Sequence, residues 1–539
     1  MIPPASHLAT HEVANQPGAR PPSDPWAEDG ALRGWVARLG ADARAPEALG
    51  AAILATDAWE AGRLAGAHPP EARPFDAAGR RLDEVRFHPA YHELMALGLG
   101  AGYASVAWDG TRGGHVAHAA LVYLMTQVEP GLCCPMTMTH AAVPALDGAQ
   151  AALWRPRLAA AAYDPAVAPV GEKAAATLGM AMTEKQGGSD LRATATRAEP
   201  DGDAHRLTGH KWFCSAPMCD GFLTLAQAPG GLTCFLVPRW LPGGRNAIRL
   251  LRLKDKLGNR ANASAEIEYE GALAHRIGEE GRGIPAILRM VHETRLDTAM
   301  APAGLMRAAL AEAVHWTGRR TAFGRRLADQ PLMRRVLADL ALDWEGALGL
   351  GLWVAAAMGD PGRRPLARLA VALAKFLANK RCVAVVAEAM EARGGMGYVE
   401  ETPMPALYRE APLNGIWEGS GNVMCLDVLR TLAREPEAVE ALAAELDAAR
   451  GADRAYDAAV AAFRSRWRAG PEEAEARLFV ERAAILLAAS VLLRHAPDAV
   501  GQGYVRARLD PGRGSVPGAV AGLDEDALLG RLAPADARP

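Results

Sequence analysis

The chain has little cysteine, few aromatic residues and no excess of charge of either sign. Seven cysteines in 539 residues are too few and too irregularly spaced for a disulfide framework. Cys133 and Cys134 are adjacent, and Cys214 and Cys219 lack a second pair at zinc-site spacing. We therefore expect reduced, mostly buried thiols in a cytoplasmic protein, and no metal centre. The formal net charge of −3 gives no global reason for a nucleic-acid or membrane partner, so such binding needs a local patch.

Long apolar runs are also lacking. We find no run of about 20 apolar residues, the length that crosses a bilayer. The run from Ala483 to Leu493 is shorter and lies between Arg482 and Arg494, which is typical of a buried helix. The N-terminus has no basic region followed by an apolar core, so we predict no signal peptide and no membrane partner.

The chain divides into consecutive regions of different sequence pattern. Residues 1–30 are rich in proline, alanine and polar residues and predict an extended arm over another surface. Apolar residues at helical spacing predict a helical domain over residues 31–178, although Pro130-Gly131 and Pro135 interrupt the pattern. A chain of this length predicts two to four domains.

Strand and helix patterns then follow in order. Period-two alternation, with turn signals such as Asp201-Gly202 and Pro229-Gly230-Gly231, predicts a small antiparallel β-domain over residues 179–283. Helical periodicity returns over residues 284–432, and an extra helical domain follows over residues 433–539. We find no internal repeat. The order helical, β, helical, helical predicts an α+β protein.

Glu418 is the most informative candidate for catalysis. It lies in Ile416-Trp417-Glu418-Gly419-Ser420-Gly421-Asn422, where an aromatic residue precedes the carboxylate and glycines follow it. Glycines let a flat ligand approach the backbone closely, so Glu418 could act as a base at the edge of that ligand. The alternative is a turn carboxylate that accepts hydrogen bonds from nearby backbone N–H groups.

Two further motifs lie at the start of the β-domain. Gly187-Gly188-Ser189, within Thr183 to Asp190, offers backbone N–H groups and a hydroxyl to a phosphate or a flavin edge. The alternative is a tight turn with a polar cap. Gly209 to Ser215 could present an aromatic ring and a hydroxyl to a planar cofactor, or its aromatic residue could belong to the core.

Two more motifs mark helix breaks in the second helical domain. Arg319 to Gly324, followed by Gln330-Pro331, could pair an arginine with phosphate or could be a solvated helix end. Gly394 to Tyr398 could approach a ligand or could be a glycine C-cap. The case for a cofactor site rests on all five motifs occurring in this order.

This ordered set resembles the acyl-CoA dehydrogenase superfamily from about residue 80 to residue 432. The family's signature motifs look like Thr183–Asp190, Gly209–Ser215, Arg320–Gly324, Gly394–Gly397 and Tyr408–Gly419. Arg86–Pro89, Thr183–Asp190, Arg252–Arg260 and Trp417–Asn422, together with the extra C-terminal helices, are similar to the AidB, or adaptive-response, branch, which is linked to DNA alkylation damage. The resemblance implies an acyl-CoA dehydrogenase-like fold with a four-helix-type domain after the β-domain.

The resemblance implies FAD as cofactor and Glu418 as catalytic base. FAD would lie between the β-domain and the second helical domain, and subunits would share it in a homo-oligomer, as a dimer or a dimer of dimers. The β-domain would contribute Met180, Ala181, Met182, Thr183, Glu184, Lys185, Gln186, Gly187, Gly188, Ser189, Phe213, Cys214 and Ser215. A neighbouring subunit's FAD would meet Arg320, Phe323, Gln330, Gly394, Gly395 and Gly397. The site would be closed by Ile416, Trp417, Glu418, Gly419, Ser420, Gly421, Asn422, Val423, Met424, Cys425 and Leu426.

Three functions are compatible with this resemblance. We favour an FAD-binding protein that binds duplex DNA without sequence preference and protects it from alkylation, with weak acyl-CoA dehydrogenase activity. DNA would contact a stripe of Arg464, Arg468 and Arg482, which could equally be a solvated helix face. The second function is an ordinary metabolic acyl-CoA dehydrogenase, in which Arg295 either lines the site or makes a surface ion pair. The third, a scaffold without redox activity, is disfavoured by Glu418 and the five motifs.

Overall fold

The computed structural model describes residues 3–533 and begins with an arm and a helical domain. Asn15 exchanges hydrogen bonds with Thr321, and the carbonyl of Gly18 contacts His315, so the arm lies across the far end of a long helix. The elements that follow are α1 (Gly30–Arg38), α2 (Arg44–Ala55), α3 (Ala58–Ala67), β1 (Glu71–Phe75), β2 (Arg81–Arg86), α4 (Pro89–Gly100), α5 (Gly114–Val128), α6 (Pro130–Ala142) and α7 (Gly148–Leu158).

Two features of this region differ from the sequence-based prediction. β1 and β2 form an antiparallel hairpin within what the sequence predicts as a purely helical domain. The carboxylate of Asp76 accepts hydrogen bonds from the backbone N–H groups of Ala78 and Arg80, which closes the turn. Pro130 starts α6 instead of interrupting a helix, and Pro135 lies inside it. Proline is favoured in a first helical turn, where its missing N–H would have no partner.

The β-domain follows, and two of its strand pairs are parallel. Its strands are β3 (Leu178–Ala181), β4 (Arg197–Asp201), β5 (Ala204–Ser215), β6 (Gly221–Ala228), β7 (Gly231–Pro238), β8 (Trp240–Leu241), β9 (Gly244–Arg245), β10 (Ile248–Leu253) and β11 (Ser264–Ile277). The main sheet runs β10-β11-β5-β4-β6-β3, and β7 closes it by pairing with both β6 and β11. The predicted β-domain is confirmed and most of its strand pairs are antiparallel, but β6 runs parallel to both β3 and β4.

Three long helices form the second helical domain. They are α8 (Gly283–Thr317), α9 (Pro331–Met358) and α10 (Arg364–Glu391), and the short strands β12 (Thr321–Ala322) and β13 (Arg325–Arg326) form a hairpin between the first two. After α10 the chain forms α11 (Met404–Glu410), the turn that holds Glu418, and α12 (Gly421–Arg434). The turn therefore lies between two helices that pack on the long bundle.

The C-terminal helices share their core with the long bundle. They are α13 (Pro436–Asp447), α14 (Arg454–Arg466), α15 (Ala476–His495), α16 (Asp498–Leu509) and α17 (Glu525–Leu532). One cluster of buried apolar side chains extends from the N-terminal helices through α8, α9 and α10 into α13 to α17, and a second fills the β-domain. The region after residue 432 is thus an extension of the helical core and not a body with a core of its own.

One helix corrects the expectation about apolar runs. α9 is long and apolar enough to cross a bilayer by length and composition alone. However, 89% of its most apolar window is buried inside the protein, where it packs between α8, α10 and α15. We therefore interpret α9 as a core helix. All seven cysteines are buried and none forms a disulfide, as expected.

Candidate functional site

Glu418 occupies a tight turn between a short 3-10 helix and α12. Its φ is +55° and that of Gly419 is +101°, so two consecutive residues adopt the left-handed region. A side chain in that region is strained, and such strain is concentrated at functional sites. The turn directs the Glu418 carboxylate toward α8, where its Oε2 lies 2.7 Å from the hydroxyl oxygen of Thr294.

The surroundings of Glu418 favour a carboxyl group that can exchange a proton. Burial raises its pKa, while the Thr294 hydroxyl and the charges of Lys375 and Arg295 oppose the rise. Thr294 also lies 3.0 Å from the carbonyl of Val291. An ionised Glu418 can accept the hydroxyl hydrogen, whereas a protonated Glu418 can donate to Thr294 while Thr294 donates to Val291. Glu418 can therefore keep a hydrogen bond to Thr294 in both its ionised and its protonated form.

Lys375 donates hydrogen bonds to the backbone of the Glu418 turn. Its ammonium donates to the carbonyl oxygens of Asn414, Trp417 and Gly419 at 2.8, 2.9 and 2.8 Å. The side chain comes from the middle of α10 and is buried. The motif search in the sequence missed both Lys375 and Thr294, because neither lies near Glu418 in the chain.

Arg295 lies next to this turn and forms a buried ion pair. It donates to Asp427 of α12 at 2.7 Å, and Arg368 of α10 donates to the same carboxylate. Although burial opposes the effect, these two arginines hold the pKa of Asp427 below its usual range. The sequence leaves two alternatives for Arg295, a residue that lines the site or one that makes a surface ion pair. The structure shows an ion pair, but it is buried and lies beside the site.

The β-domain supplies the other side of the site. Trp417, Met180 and Met182 each pack against the apolar core of the β-domain, so both predicted segments, 180–189 and 416–419, border that domain. The Trp417 ring is held in place by a 2.7 Å hydrogen bond from its Nε1 to Asn414 Oδ1. Ala181 is buried, whereas Thr183, Lys185, Gln186, Gly187, Gly188 and Ser189 are exposed or half-buried.

Glu184 differs from its neighbours because its side chain points into the β-domain. It accepts a 2.6 Å hydrogen bond from the buried ammonium of Lys211, and Thr196 donates to it as well. Although burial opposes the effect, Lys211 lowers the pKa of Glu184 to about 2. Glu184 therefore anchors the segment 183–189, and only its backbone is available to a ligand.

Strand β5 places three more predicted residues at this side. Phe213 is exposed, Ser215 is half-buried and the Cys214 thiol is fully buried in the core. On the neighbouring helix α6, burial raises the pKa of the Cys134 thiol to about 12, and the Glu418 charge adds to the rise. An exposed ring beside a hydroxyl suits a planar cofactor.

The N-terminus of α12 gathers positive charge directly after Glu418. Ser420 makes no side-chain capping bond, so the first backbone N–H groups of the helix have no side-chain acceptor there. Arg477 of α15 donates to Asn422 Oδ1 at 2.8 Å, and the Lys380 ammonium lies beside Gly421. Such an arrangement suits a phosphate group. The sequence motifs missed Lys380 and Arg477, which come from α10 and from the C-terminal extension.

The rest of the closing segment turns inward along α12. Met424 and Cys425 are buried, Val423 is half-buried, and Ile416 and Leu426 are exposed. Ile416 and Leu426 therefore form an exposed apolar surface next to the Glu418 turn, where the resemblance places a flavin ring.

A second group of predicted cofactor residues lies elsewhere in the chain. α8 extends about 35 Å from Thr294 to its end before Arg320, and α10 extends about 24 Å from Lys375 to its end before Gly394. Phe323 is 97% exposed at the tip of the β12–β13 hairpin, and Gln330 donates to the Ala322 carbonyl in that hairpin. Gly394, Gly395 and Gly397 form a 3-10 turn. One chain therefore does not bring these residues to its own Glu418.

The three arginines of the predicted DNA stripe have different surroundings. Arg464 is bound by Asp447 at 2.9 Å, and that hydrogen bond raises its pKa. Arg468 lies beyond the end of α14, so it is not on the same helix face as Arg464. Arg468 and Arg482 are both exposed, and neither has a carboxylate partner within residues 3–533.

Known protein families match most of the chain. Three family models match successive parts: the adaptive response protein AidB N-terminal domain over residues 15–165, the acyl-CoA dehydrogenase middle domain over 179–272, and the acyl-CoA dehydrogenase C-terminal domain over 281–433. The protein AidB of Escherichia coli (strain K12) is 44% identical over 523 residues, which is 95% of this chain and 96% of that protein.

A nematode relative extends the comparison to structure. Acyl-CoA dehydrogenase family member 11 of Caenorhabditis elegans is 34% identical over 69% of this chain and 64% of that protein. The crystal structure of Caenorhabditis elegans ACDH-11 in complex with C11-CoA has a TM-score of 0.84 at 27% identity, and the match covers 97% of this chain and 95% of that one. The similarity therefore includes the C-terminal helices and confirms the predicted fold.

Proposed function

Because this chain belongs to the AidB branch of the acyl-CoA dehydrogenase superfamily, we propose that it is an FAD-binding oxidoreductase that acts on acyl-CoA thioesters, with Glu418 as its base. The observation that carries the proposal is the position of Glu418, a half-buried carboxyl group in a strained turn, hydrogen-bonded to Thr294 and directly after Trp417, which packs on the β-domain core. FAD, when bound, supplies the acceptor for the hydride that leaves the β-carbon.

The protein residues have three tasks in this reaction. Glu418 removes the proton from the α-carbon of the thioester, and its raised pKa brings it closer to that of a useful base near neutral pH. Thr294 then accommodates the proton on Glu418 by passing its own hydrogen bond to Val291. The exposed segment 185–189 and Phe213 offer a surface for the flavin. Lys380 and Arg477, at the N-terminus of α12, suit a phosphate of the cofactor.

Anaerobic flavin reduction tests this proposal. Purified FAD-loaded protein is mixed with a panel of acyl-CoAs, and the loss of flavin absorbance is followed. We expect one range of chain lengths to bleach the flavin, and Glu418→Gln to slow the bleaching at least a hundred-fold while FAD stays bound. Glu440→Gln, which changes an exposed carboxylate on α13, serves as the control and should leave the rate unchanged. A flavin that every acyl-CoA leaves oxidised would contradict the proposal.

We propose a second function, sequence-independent binding of duplex DNA with protection from alkylation, on the basis of Arg468 and Arg482. These side chains are exposed and unpaired within the described residues, in contrast to Arg464. The C-terminal region also carries many acids, so only a local patch can attract phosphates. The AidB resemblance favours this function. Cytoplasmic localisation stays a prediction, and it is compatible with DNA binding.

Salt-dependent binding distinguishes this function from dehydrogenation alone. Two unrelated duplexes should bind with equal affinity, and log K should fall linearly with log salt. Arg468→Gln with Arg482→Gln should reduce that slope by about 2, since each lost phosphate contact contributes about 0.9. Arg464→Gln should change it less, because Asp447 already neutralises Arg464. No binding at low salt, or an unchanged slope in the double variant, would exclude this surface.

A further inference from the structure

Lys375 is a buried cation that has no carboxylate partner. It is 1% exposed, and within residues 3–533 no carboxylate oxygen lies within 4.0 Å of its ammonium. The other fully buried lysine, Lys211, is neutralised by Glu184 at 2.6 Å. Burying a charge without a counter-ion is costly even when every donor is hydrogen-bonded, and burial lowers the pKa of Lys375 to about 7. All three acceptors of its protonated amine are backbone carbonyls.

These three carbonyls enclose the Glu418 turn. Asn414 lies four residues before Glu418, Trp417 immediately precedes it and Gly419 immediately follows it. An ammonium has three N–H donors, and here each donor has one carbonyl. Carbonyls on both sides of one residue can converge on a single atom only if the chain curls around it. The left-handed φ of Glu418 and Gly419 produces that curl.

We propose that Lys375 is a positioning residue, which holds the Glu418 turn in its strained conformation by donating to the three carbonyls around it. The inference rests on the proposed function of Glu418 as base. The hydrogen bonds compensate for the unfavourable backbone of the turn and keep the carboxylate directed at Thr294. When Lys375 is protonated, its charge also favours the ionised form of Glu418.

The position of Lys375 in the fold makes it suited to this task. It projects from the middle of α10, and one turn later Asn379 ties that helix to α8 by donating to the Thr298 carbonyl at 2.9 Å. Thr294, the partner of Glu418, lies one turn earlier on α8. The turn is therefore held between two helices that are themselves joined, so Lys375 and Thr294 set the carboxylate from two sides.

Hydrogen exchange of the loop tests the proposal without any need for activity. In the FAD-loaded full chain, Lys375→Met keeps the length of the side chain but removes its three donors. We expect the amides of residues 411–421 to exchange at least ten-fold faster, while peptides from the β-domain keep their rates. Leu377→Met, a buried apolar change on the same helix, is the matched control and should leave the loop unchanged. Wild-type exchange in Lys375→Met would overturn the proposal.

Flavin reduction provides the second readout. Lys375→Met should lower the rate constant for reduction at least ten-fold and change the dissociation constant of the acyl-CoA less than three-fold. It should also move the pH dependence of reduction to higher pH, because Glu418 loses a neighbouring positive charge. If Glu418→Gln does not affect reduction, the proposed function fails, yet loop exchange still decides the role of Lys375. Should Lys375→Met not fold, Lys375→Leu removes the same three donors with a smaller side chain, and wild-type exchange of residues 411–421 in that variant would refute the proposal.

Discussion

The carboxyl group of Glu418 is controlled by a small number of contacts that come from distant parts of the chain. Thr294 is 124 residues earlier in the sequence and reaches Glu418 at 2.7 Å. Burial raises the pKa of Glu418, and the Thr294 hydrogen bond is the largest influence that opposes it. The ionisation of the proposed base is thus balanced between desolvation and one hydroxyl group, which a single substitution can remove.

Thr294→Val should shift the activity of the site to higher pH. Without the hydroxyl, the ionised carboxylate loses a hydrogen bond worth about 1.5–3 kcal/mol and the protonated form loses one worth about 0.5–1.5 kcal/mol, so the pKa should rise by about 1 unit. Because the base must be ionised, the rise of the flavin reduction rate with pH should move upward by that amount. Thr298→Val is the matched control, since its hydroxyl donates to the Arg295 carbonyl and does not contact Glu418. Identical pH profiles for Thr294→Val and wild type would disprove this role.

At the scale of elements, α16 is joined to α9 by a buried arginine. Arg508 donates to Asp343 at 2.7 Å and to the carboxylate of Asp339 at 2.6 Å, and it is 7% exposed. The two carboxylates raise the pKa of Arg508 although burial opposes the rise. Removing one member of such a network leaves uncompensated charge in the core. The C-terminal extension is therefore fastened to the bundle by charge as well as by apolar packing.

Arg508→Met should destabilise the protein by about 3–5 kcal/mol, because Asp339 and Asp343 lose a buried cation. Urea unfolding of the FAD-loaded protein measures the loss. Arg506→Met on the same helix is the control: within residues 3–533 this exposed arginine donates only to the Gly522 carbonyl, and its loss should cost at most about 1 kcal/mol. Equal effects of the two substitutions would show that the buried network does not hold α16 in place.

The same elements show what the sequence can predict. The helices α8 and α10 follow from apolar periodicity, and the Glu418 turn and the segment 183–189 follow from glycine-rich motifs. The β1–β2 hairpin was missed because four of the five β1 residues are exposed and show no period-two pattern. Lys375 could be interpreted only as part of a polar helix face, since its three acceptors lie 39 to 44 residues later in the chain. Contacts between distant elements have no local signal.

At the scale of the whole molecule, the predicted cofactor residues form two groups at distant ends of the long helices. One group surrounds Glu418, and the other comprises the β12–β13 hairpin and the Gly394 turn. Near the second group, Phe323 is 97% exposed and Tyr398 is 81% exposed. Aromatic side chains are enriched at protein–protein interfaces. We therefore infer that a second copy of the chain covers them and brings its own cofactor to Arg320 and Gln330.

Replacing both exposed aromatics should separate the subunits and weaken FAD binding at the same time. Phe323→Asp with Tyr398→Asp places charges where a partner would bury them, and light scattering should show a lower molar mass than wild type. The same variant should lose FAD on dilution at least ten-fold more readily, because the partner's half of the site is absent. Leu54→Asp, an exposed apolar residue on α2, is the control and should keep both properties. An unchanged mass would exclude this surface as the interface, and a monomer that retains FAD fully would show that each chain holds its cofactor alone.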